Sequence, residues 1–329
     1  MNILFYGTAS YDKASFTKEL KDYPEIKIDF TETNLTPMTA ALARGYDAVC
    51  AFVNADCGAM TLEILAGFGV KLLLMRCAGF DAVNVAVAQD LGMKVTRVPA
   101  YSPEAIAEHA MGLALAANRR ICKGYIRVRE NDFSLNGLVG NTLHGKTAGI
   151  IGTGRIGATV VRHLRGFGCR VLAFDPCPRD DLAGLATYVT LDELLASSDV
   201  VTLHTPGLPE NHHMIGAAEL ARTKRGVVLV NAGRGTLVDT AALVDALESG
   251  QVGAAALDTI ENESDLYYLD RGRDVLPNRD RAVLSAMPNV IVSPHMAFYT
   301  EEDVEGMVRS NVEALLAFAH GEASPYEVI

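Results

Sequence analysis

The sequence lacks the features that direct a chain to a membrane or into the secretory pathway. No apolar run approaches the roughly 20 residues that a membrane-spanning helix needs. No basic segment precedes the first apolar residues, so no secretory signal is visible. The six cysteines include no CxxC pair, and we interpret them as small core residues rather than disulfides or metal ligands. We therefore expect a cytoplasmic location and no bound metal.

The sequence also has no excess of positive charge. It contains 29 Lys and Arg against 40 Asp and Glu, which gives a formal net charge of −11. Nucleic-acid and anionic-membrane partners both need a basic face, so we expect neither. Internal repeats and low-complexity tracts are absent as well. With 49% hydrophobic and 21% charged residues, the 329-residue chain has a globular composition and a length that suggests two domains.

Short apolar runs alternate with amphipathic stretches along nearly the whole chain. Because these runs are almost continuously apolar, they predict parallel strands covered by helices on both faces. The first series of predicted strands covers residues 2–6, 26–30, 48–52, 72–77 and 94–98, with helices near 14–21, 37–44, 58–68 and 83–91. The second series covers residues 147–151, 170–174, 200–204, 227–231, 254–258 and 290–293. Two such series predict an α/β fold of two doubly wound parallel-sheet domains.

Two further helices are predicted outside these series. One begins at Pro103, where the missing N–H of proline costs nothing, and continues to about Arg129 as a link between the domains. The other begins after Thr300 with three acidic residues in its first turn and ends near Gly321. Because this last helix follows the complete second series, the layout favours its crossing back to the first domain.

Gly152, Gly154 and Gly157 form a GxGxxG pattern between a predicted strand and the amphipathic helix that follows it. In a dinucleotide-binding loop the first glycine permits a tight turn, the second lets the backbone approach a pyrophosphate, and the third allows close helix–strand packing. The N-terminus of the helix supplies N–H groups for the phosphates. The pattern therefore predicts a dinucleotide site, with a simple glycine turn as the alternative.

An acidic residue stands at the end of the next predicted strand. Asp175 lies 18 residues after Gly157, where a carboxylate would accept hydrogen bonds from both hydroxyls of an adenosine ribose. A carboxylate at this position repels a 2′-phosphate, which predicts NAD rather than NADP as the cofactor. Arg179 lies close by in the sequence and could weaken this preference.

Three residues with catalytic potential follow later predicted strands. Arg234 stands between glycines after one strand, Glu263 comes five residues after the end of another, and His295 follows the last. An arginine can bind a planar carboxylate through two parallel hydrogen bonds. A carboxylate beside a histidine raises the pKa of the imidazole, so that it can donate a proton near neutrality. Taken singly, each of the three could equally be a surface or structural side chain.

Several longer motifs resemble those of the D-isomer-specific 2-hydroxyacid dehydrogenase family. They run in the family's order over nearly the whole chain and comprise residues 76–80, 98–104, 145–149, 152–157, 231–239 and 294–298. Within the family the chain is most similar to the fermentative D-lactate dehydrogenases of bacteria. The resemblance implies a substrate domain with a flavodoxin-like fold, formed by residues 1–100 and 298–329. It also implies an NAD-binding Rossmann domain formed by residues 101–297.

The resemblance further assigns roles to individual residues. It implies a catalytic trio in which Arg234 anchors the substrate, His295 is the general acid and base, and Glu263 tunes His295. The spacing from Asp258 favours Glu263 over its neighbour Glu261 for this role. Besides the three glycines, the implied cofactor contacts are Arg155, Ile156, Asp175, Thr205, Pro206, Asn211, Ala232 and Asp258. The implied substrate contacts are Arg234, His295, the backbone N–H groups of Ala78 and Gly79, and the side chain of Tyr101.

The implied activity is reversible hydride transfer between NAD(H) and a small 2-keto acid, with reduction of pyruvate to D-lactate as the expected reaction. Dehydrogenases of the same fold that act on bulkier 2-keto acids, hydroxypyruvate or glyoxylate are the alternatives, because a sequence does not give the volume of a pocket. A more distant alternative is an NAD-sensing corepressor that acts by binding partner proteins. The resemblance also implies a homo-oligomer, either a dimer or a tetramer.

Overall fold

The computed structural model describes residues 1–99, 102–263, 266–276 and 278–329. The chain forms two compact units, of which the first comprises residues 1–102 and 299–329 and the second comprises residues 103–298. Each unit is built on a parallel sheet covered by helices, so the predicted α/β fold with two doubly wound sheets is confirmed. Within the described ranges, no helix is both long and apolar enough to cross a membrane.

The first unit contains a five-stranded parallel sheet. Its strands are β1 (Asn2–Phe5), β2 (Lys27–Phe30), β3 (Ala48–Ala51), β4 (Leu72–Met75) and β5 (Lys94–Arg97), in the order β2-β1-β3-β4-β5. Its helices are α1 (Ser10–Glu19), α2 (Ala59–Gly67), α3 (Val85–Asp90) and α11 (Glu301–His320). Strands β3 and β4 are buried along their whole length, as expected of central strands covered on both faces.

Helix α11 belongs to the core of the first unit. Thr300 caps its N-terminus by accepting a backbone hydrogen bond, and Gly321, at φ +73°, ends it. Val308 and Leu315 on this helix share one buried cluster with Phe5 on β1. The last helix therefore completes a core that the first strand begins.

The second unit contains a seven-stranded parallel sheet in the order β12-β11-β10-β9-β6-β7-β8. Its strands are β6 (Thr147–Ile151), β7 (Arg170–Phe174), β8 (Thr187–Tyr188), β9 (Val200–Leu203), β10 (Val227–Asn231), β11 (Val252–Leu257) and β12 (Val290–Val292). Its helices are α4 (Pro103–Asn118), α5 (Ile121–Arg129), α6 (Arg155–Gly166), α7 (Leu191–Ser197), α8 (Ala217–Arg222), α9 (Thr240–Glu248) and α10 (Arg279–Ala286). The chain moves outward from β6 to β8 and then returns to the other side of β6 with β9. Sheets of this kind bind ligands at such a switch point, outside the carboxyl ends of the strands.

The single helix predicted to run from residue 103 to 129 is wrong, because it is divided into α4 and α5. Arg120 adopts a left-handed φ of +56° between them, which ends the α-helical path. The chain also returns over the end of α4, where Asn118 donates a side-chain hydrogen bond to the carbonyl of Asn141 at 2.7 Å. A Cβ on Gly140 of this returning segment would lie 2.3 Å from the carbonyl oxygen of Asn118, so the segment packs closely on the end of α4.

The helix predicted at residues 37–44 is also wrong, since only a 3₁₀ turn forms there, at Ala40–Ala43. The Thr39 hydroxyl accepts a hydrogen bond from the N–H of Thr36 at 2.8 Å and donates to the carbonyl of Asn34 at 2.7 Å. Threonine hydroxyls that bind nearby backbone groups compete with the helical ladder. Strand β8 was not predicted, because two residues are too few to show a period.

Candidate active site

The glycine loop lies at the switch point of the seven-stranded sheet, between β6 and α6. Gly152 has φ +88°, and a Cβ on it would lie 2.8 Å from backbone atoms that follow β9. A Cβ on Gly157 would lie 1.9 Å from the carbonyl oxygen of Gly152, so only glycine lets α6 pack this closely. Gly154 is the N-cap of α6, and Arg155 and Ile156 form its first turn. Backbone N–H groups in a first helical turn have no partner within the helix, so this cradle fits the pyrophosphate of a dinucleotide.

Asp175 directly follows β7 and is held in a fixed orientation beside the glycine loop. Its Oδ2 accepts hydrogen bonds from the N–H of Thr153 at 2.6 Å and from the Thr153 hydroxyl at 3.1 Å. Its Oδ1 accepts a hydrogen bond from the N–H of Cys177 at 2.8 Å. Tyr188 on β8 in turn donates its hydroxyl to that of Thr153 at 2.9 Å. The carboxylate therefore lies where a Rossmann fold binds the adenosine ribose.

The loop after β9 lies on the other side of the switch point and contains three of the predicted cofactor residues. The side-chain amide of Asn211 donates to the carbonyl of Pro206 at 3.0 Å and to the hydroxyl of Thr205 at 3.3 Å. A Cβ on Gly207 would lie 2.8 Å from Cγ of Arg234. The stem of the arginine therefore lies against this glycine, and the loops after β9 and β10 are in contact.

Arg234 lies in the loop that follows β10. Asn231, the last residue of β10, fixes this loop by donating its side-chain amide to the carbonyl of Arg234 at 2.8 Å. Ala232 belongs to the same turn. A Cβ on Gly235 would lie 2.1 Å from the carbonyl carbon and oxygen of Ile260, so glycine here lets the loop after β11 approach. That loop carries Glu261 and Glu263.

Glu263 and His295 are hydrogen bonded to each other. Nδ1 of His295 lies 2.6 Å from Oε1 of Glu263, and the two side chains are only 15% and 21% exposed. Oε2 of Glu263 accepts a hydrogen bond from the N–H of Ile260 at 2.9 Å, which fixes the carboxylate. No hydrogen-bond partner of Nε2 of His295 is found among the described residues. Nε2 is therefore the ring nitrogen available to exchange a proton with a substrate.

Asp258 follows β11 and holds the segment that carries His295. Its carboxylate accepts hydrogen bonds from the Ser293 hydroxyl at 2.6 Å and from two backbone N–H groups after His295 at 3.0 and 2.9 Å. Nε2 of His109 lies 3.2 Å from Oδ1. Burial raises the pKa of Asp258, but its hydrogen bonds to His109, Ser293 and the two backbone groups outweigh burial and lower the pKa to about 2. The negative charge is thus retained at neutral pH.

A second histidine–glutamate pair uses the same loop after β11. Nε2 of His213 lies 2.6 Å from Oε1 of Glu261, and Nδ1 of His213 lies 3.8 Å from the carboxylate of Asp239. Oε2 of Glu261 accepts hydrogen bonds from the N–H of Thr240 at 2.9 Å and from its hydroxyl at 2.7 Å. Both ring nitrogens of His213 therefore face carboxylates of the protein.

His212 stands beside this second pair, and the ligand atoms of His212, His213 and Glu261 lie within 4.8 Å of one another. The two imidazole rings are stacked, with centroids 3.9 Å apart and planes inclined by 29°. Stacked rings direct their nitrogen lone pairs along nearly parallel planes, whereas tetrahedral zinc needs ligands that converge. The arrangement is a hydrogen-bonded pair with a stacked neighbour rather than a preformed zinc site.

The remaining predicted substrate contacts belong to the first unit. Ala78 and Gly79 lie in the loop after β4. The carbonyl of Ala78 accepts a hydrogen bond from Arg97 at 3.0 Å, and that of Gly79 accepts one from the Cys77 thiol at 3.0 Å. These bonds fix the backbone of the loop. Tyr101 lies outside the described residues.

Sequence reasoning missed the residues that hold the predicted ones in place. Thr153 and Tyr188 orient the carboxylate after β7, and His109 and Ser293 bind the carboxylate after β11. No short pattern marks these four, because most of their partners are distant in sequence and are brought together only by the sheet. Gly235 is different, because glycine is the usual residue where backbone segments must approach closely, and this signal is visible in the sequence.

The fold and site together define the class of protein. A glycine cradle at the switch point of a parallel sheet binds a dinucleotide, and neighbouring strand ends in the same unit present an arginine and a hydrogen-bonded glutamate–histidine pair. This combination is that of a dinucleotide-dependent dehydrogenase acting on a carboxylate-bearing substrate.

Comparison with known proteins identifies the family. The model of the D-isomer specific 2-hydroxyacid dehydrogenase NAD binding domain matches residues 111–297. The chain is 42% identical to D-lactate dehydrogenase of Escherichia coli (strain K12), with 100% of each chain covered. It is 44% identical to 2-hydroxyacid dehydrogenase homolog 1 of Schizosaccharomyces pombe, covering 100% of this chain and 99% of that protein. The solved pyruvate reductase of Chlamydomonas reinhardtii superposes with a TM-score of 0.91 at 40% identity, over 99% of this chain and 98% of that one. The chain therefore belongs to the D-isomer specific 2-hydroxyacid dehydrogenase family and is an NAD-dependent D-2-hydroxyacid dehydrogenase.

Proposed function

We propose that the protein reduces pyruvate to D-lactate with NADH. The observation that carries the proposal is the short hydrogen bond between Glu263 and His295, which leaves Nε2 of the histidine available for a substrate. Arg234, on the loop packed against the loop of Glu263, adds a group that binds carboxylates. The names of the D-lactate dehydrogenase and pyruvate reductase relatives support this substrate.

The proposed catalytic roles follow from these positions. The guanidinium of Arg234 binds the carboxylate of the keto acid and helps to polarise the ketone. Protonated His295 donates the proton on Nε2 to the carbonyl oxygen, and in the reverse direction neutral His295 takes that proton back. Glu263 fixes the orientation of the ring and stabilises its charged form. When the dinucleotide is bound, its reduced nicotinamide supplies the hydride that reaches the carbonyl carbon.

The proposed cofactor contacts surround the switch point. The backbone from Gly152 to Gly157, including Arg155 and Ile156, takes the pyrophosphate, and Asp175 takes the ribose hydroxyls. The remaining proposed cofactor contacts are Thr205, Pro206, Asn211, Ala232 and Asp258. The roles of Ala78, Gly79 and Tyr101 toward the substrate carboxylate stay a prediction.

The test is NADH oxidation followed by absorbance, with pyruvate beside a panel of branched, aromatic and phosphorylated 2-keto acids, hydroxypyruvate and glyoxylate. We expect the highest kcat/KM with pyruvate and a product that is the D enantiomer. A much higher kcat/KM with a bulkier keto acid would mean that pyruvate is not the preferred substrate. The proposed roles of Arg234, Glu263 and His295 would stay unchanged. Binding of NADH without turnover of any keto acid would contradict the proposal and favour an NAD-sensing role.

We also propose that the protein is a homo-oligomer, in which a second copy covers an apolar face of the second unit. Helix α5 has no buried residue, and the chain after it exposes Phe133, Leu135 and Val139 by 72%, 80% and 87%. A concentration of exposed large apolar side chains in one stretch of chain favours an interface. Sedimentation velocity is expected to show a dimer or tetramer, and a single monomeric species would contradict this. The cytoplasmic location stays a prediction.

A further inference from the structure

A three-membered ion cluster lies just beyond the proposed ribose site. Asp181 accepts two hydrogen bonds from Arg179, from Nε at 2.8 Å and from a terminal nitrogen at 3.0 Å. It also accepts one from Arg162 on α6 at 2.7 Å. All three side chains are partly exposed, by 37% for Arg179, 47% for Arg162 and 46% for Asp181. One carboxylate therefore engages two guanidinium groups.

The cluster is connected to the proposed ribose site through hydrogen bonds. The backbone N–H of Arg179 donates to the hydroxyl of Tyr188 at 3.0 Å. That hydroxyl donates to Thr153, which donates to the carboxylate of Asp175. The hydrogen bonds with Asp181 are the largest cause that raises the pKa of the Arg179 guanidinium. Arg179 thus extends from the segment that borders the ribose hydroxyls.

The chemistry of these groups bears on the choice between the two nicotinamide dinucleotides. NADP differs from NAD by a phosphate on the 2′-oxygen of the adenosine ribose, and arginine is the residue that binds such a phosphate most readily. An arginine four residues after the ribose-binding carboxylate would therefore favour NADP if its guanidinium were available. In this structure that guanidinium is bound, through two parallel hydrogen bonds, to an acidic side chain of its own loop.

We propose that Asp181 is a specificity-determining residue that withholds Arg179 from a 2′-phosphate and so reinforces the preference for NADH set by Asp175. The inference rests on the proposed position of the adenosine ribose at Asp175. Two acidic residues would then discriminate between NADH and NADPH. Asp175 repels the 2′-phosphate, and Asp181 binds Arg179, the arginine that could otherwise compensate for that repulsion.

The experiment measures the Kd of NADH and of NADPH for the full chain without keto acid, from the rise in nicotinamide fluorescence on binding. In D181N we expect the Kd of NADPH to fall about fivefold relative to the native chain, a modest factor because the ion pair that is removed is exposed to solvent. In the double variant D181N/R179M we expect the gain to disappear. D192N is the matched control, because Asp192 forms an exposed pair with Arg222 at 2.8 Å outside this loop.

The outcomes distinguish the proposed role of Asp181 from the proposed position of the ribose at Asp175. An unchanged Kd of NADPH in D181N would overturn the inference. So would a gain that persists in D181N/R179M, because the release of Arg162 or the loss of negative charge would then explain it. A gain that also appears in D192N would overturn the inference as well, because loss of negative charge alone would explain it. D175N tests the ribose position itself: if it binds NADH as tightly as the native chain, the proposed ribose position is wrong. If D175N weakens NADH binding while D181N leaves NADPH unchanged, only the role of Asp181 is wrong.

Discussion

The loop after β11 carries two glutamates, and each is paired with a histidine from another part of the second unit. His295 and His213 have φ values of +51° and +52°, and each has a ring nitrogen 2.6 Å from a glutamate oxygen. They differ in the nitrogen that is engaged. His295 is bound through Nδ1, whereas His213 is bound through Nε2 and has Asp239 3.8 Å from Nδ1.

The difference distinguishes the proposed catalytic pair from a pair whose contacts hold the fold together. In the His213 pair, Glu261 is also bound to the backbone and hydroxyl of Thr240, so its charge serves to hold the loop on α9. In the His295 pair, Glu263 is bound to the backbone within its own loop, and Nε2 of the ring has no hydrogen-bond partner among the described residues. The His213 pair therefore holds in place the loop that carries Glu263.

The largest expected effect separates the two histidines. His295→Asn removes the imidazole but suits a left-handed backbone, because asparagine tolerates positive φ better than most residues. We expect kcat for pyruvate reduction to fall roughly 10²–10⁴-fold, the usual contribution of a general acid. His213→Asn is the matched control, with the same substitution at the same φ, and its kcat is expected to stay close to the native value. If steady-state kinetics showed equal losses of kcat in the two variants, the proposed difference between His295 and His213 would be wrong.

Asp258 anchors the turn of His295, and its removal is expected to have the next largest effect. The carboxylate is about 1% exposed, and its pKa is lowered to about 2 from an ordinary value of 3.8. Because the pKa is lower in the folded chain, the stabilisation is complete above about pH 4 and is lost as the pH falls toward about 2. We expect Asp258→Asn to lower the free energy of unfolding by roughly 2 kcal/mol at neutral pH.

The measurement for Asp258 is urea denaturation of the native chain and the Asn variant from neutral pH down to the acid limit of the native fold. The difference in unfolding free energy between the two should be constant above about pH 4 and should shrink below it. A difference that stayed constant at the lowest accessible pH would mean that the charge of Asp258 does not stabilise the fold. Asp192→Asn, at an exposed carboxylate, is the control and should show almost no difference.

Glu263→Gln tests whether the carboxylate of Glu263 helps His295 to hold its proton. An ionised carboxylate beside an imidazole favours its charged form, and a neutral amide does not. We therefore expect kcat at neutral pH to fall about tenfold, less than the roughly 10²–10⁴-fold loss expected when the general acid itself is removed, because the imidazole is still present. The alkaline limb of the pH profile for pyruvate reduction should also move to lower pH. If the limb did not move, Glu263 would orient the ring without stabilising its charge.

Glu261→Gln is expected to have the smallest effect. The substitution weakens the charge-assisted hydrogen bonds to Thr240 and His213, which should lower the free energy of unfolding by about 1 kcal/mol in urea denaturation. Since Glu261 does not contact His295, the pH profile should keep its shape. A shift as large as that of Glu263→Gln would assign the tuning role to both glutamates.

The sequence predicts most of the fold because its strands are nearly continuous apolar runs between glycines and polar residues. Eleven of the strands begin within two residues of their predicted start, and the glycine loop lies between its strand and helix as predicted. The division between α4 and α5 could not be predicted, because a left-handed Arg120 has no local signal and depends on a segment about 20 residues away. The site shows the same limit. The choice of Glu263 over Glu261 by spacing stays a prediction. The contacts of Glu261 with Thr240 and His213 could not be predicted, because only the folded chain brings these residues together.

The first unit is assembled from the two ends of the chain, and this dictates an order of events during synthesis. A ribosome makes Phe5 and Phe16 first, yet Val308 and Leu315, which complete their core, leave the exit tunnel only after the whole second unit has been made. The second unit is continuous and can fold as soon as it emerges, because domains generally fold as units during translation. The part of the enzyme that is translated first is therefore the last to become native, and its apolar strands are what a chaperone would meet on the nascent chain.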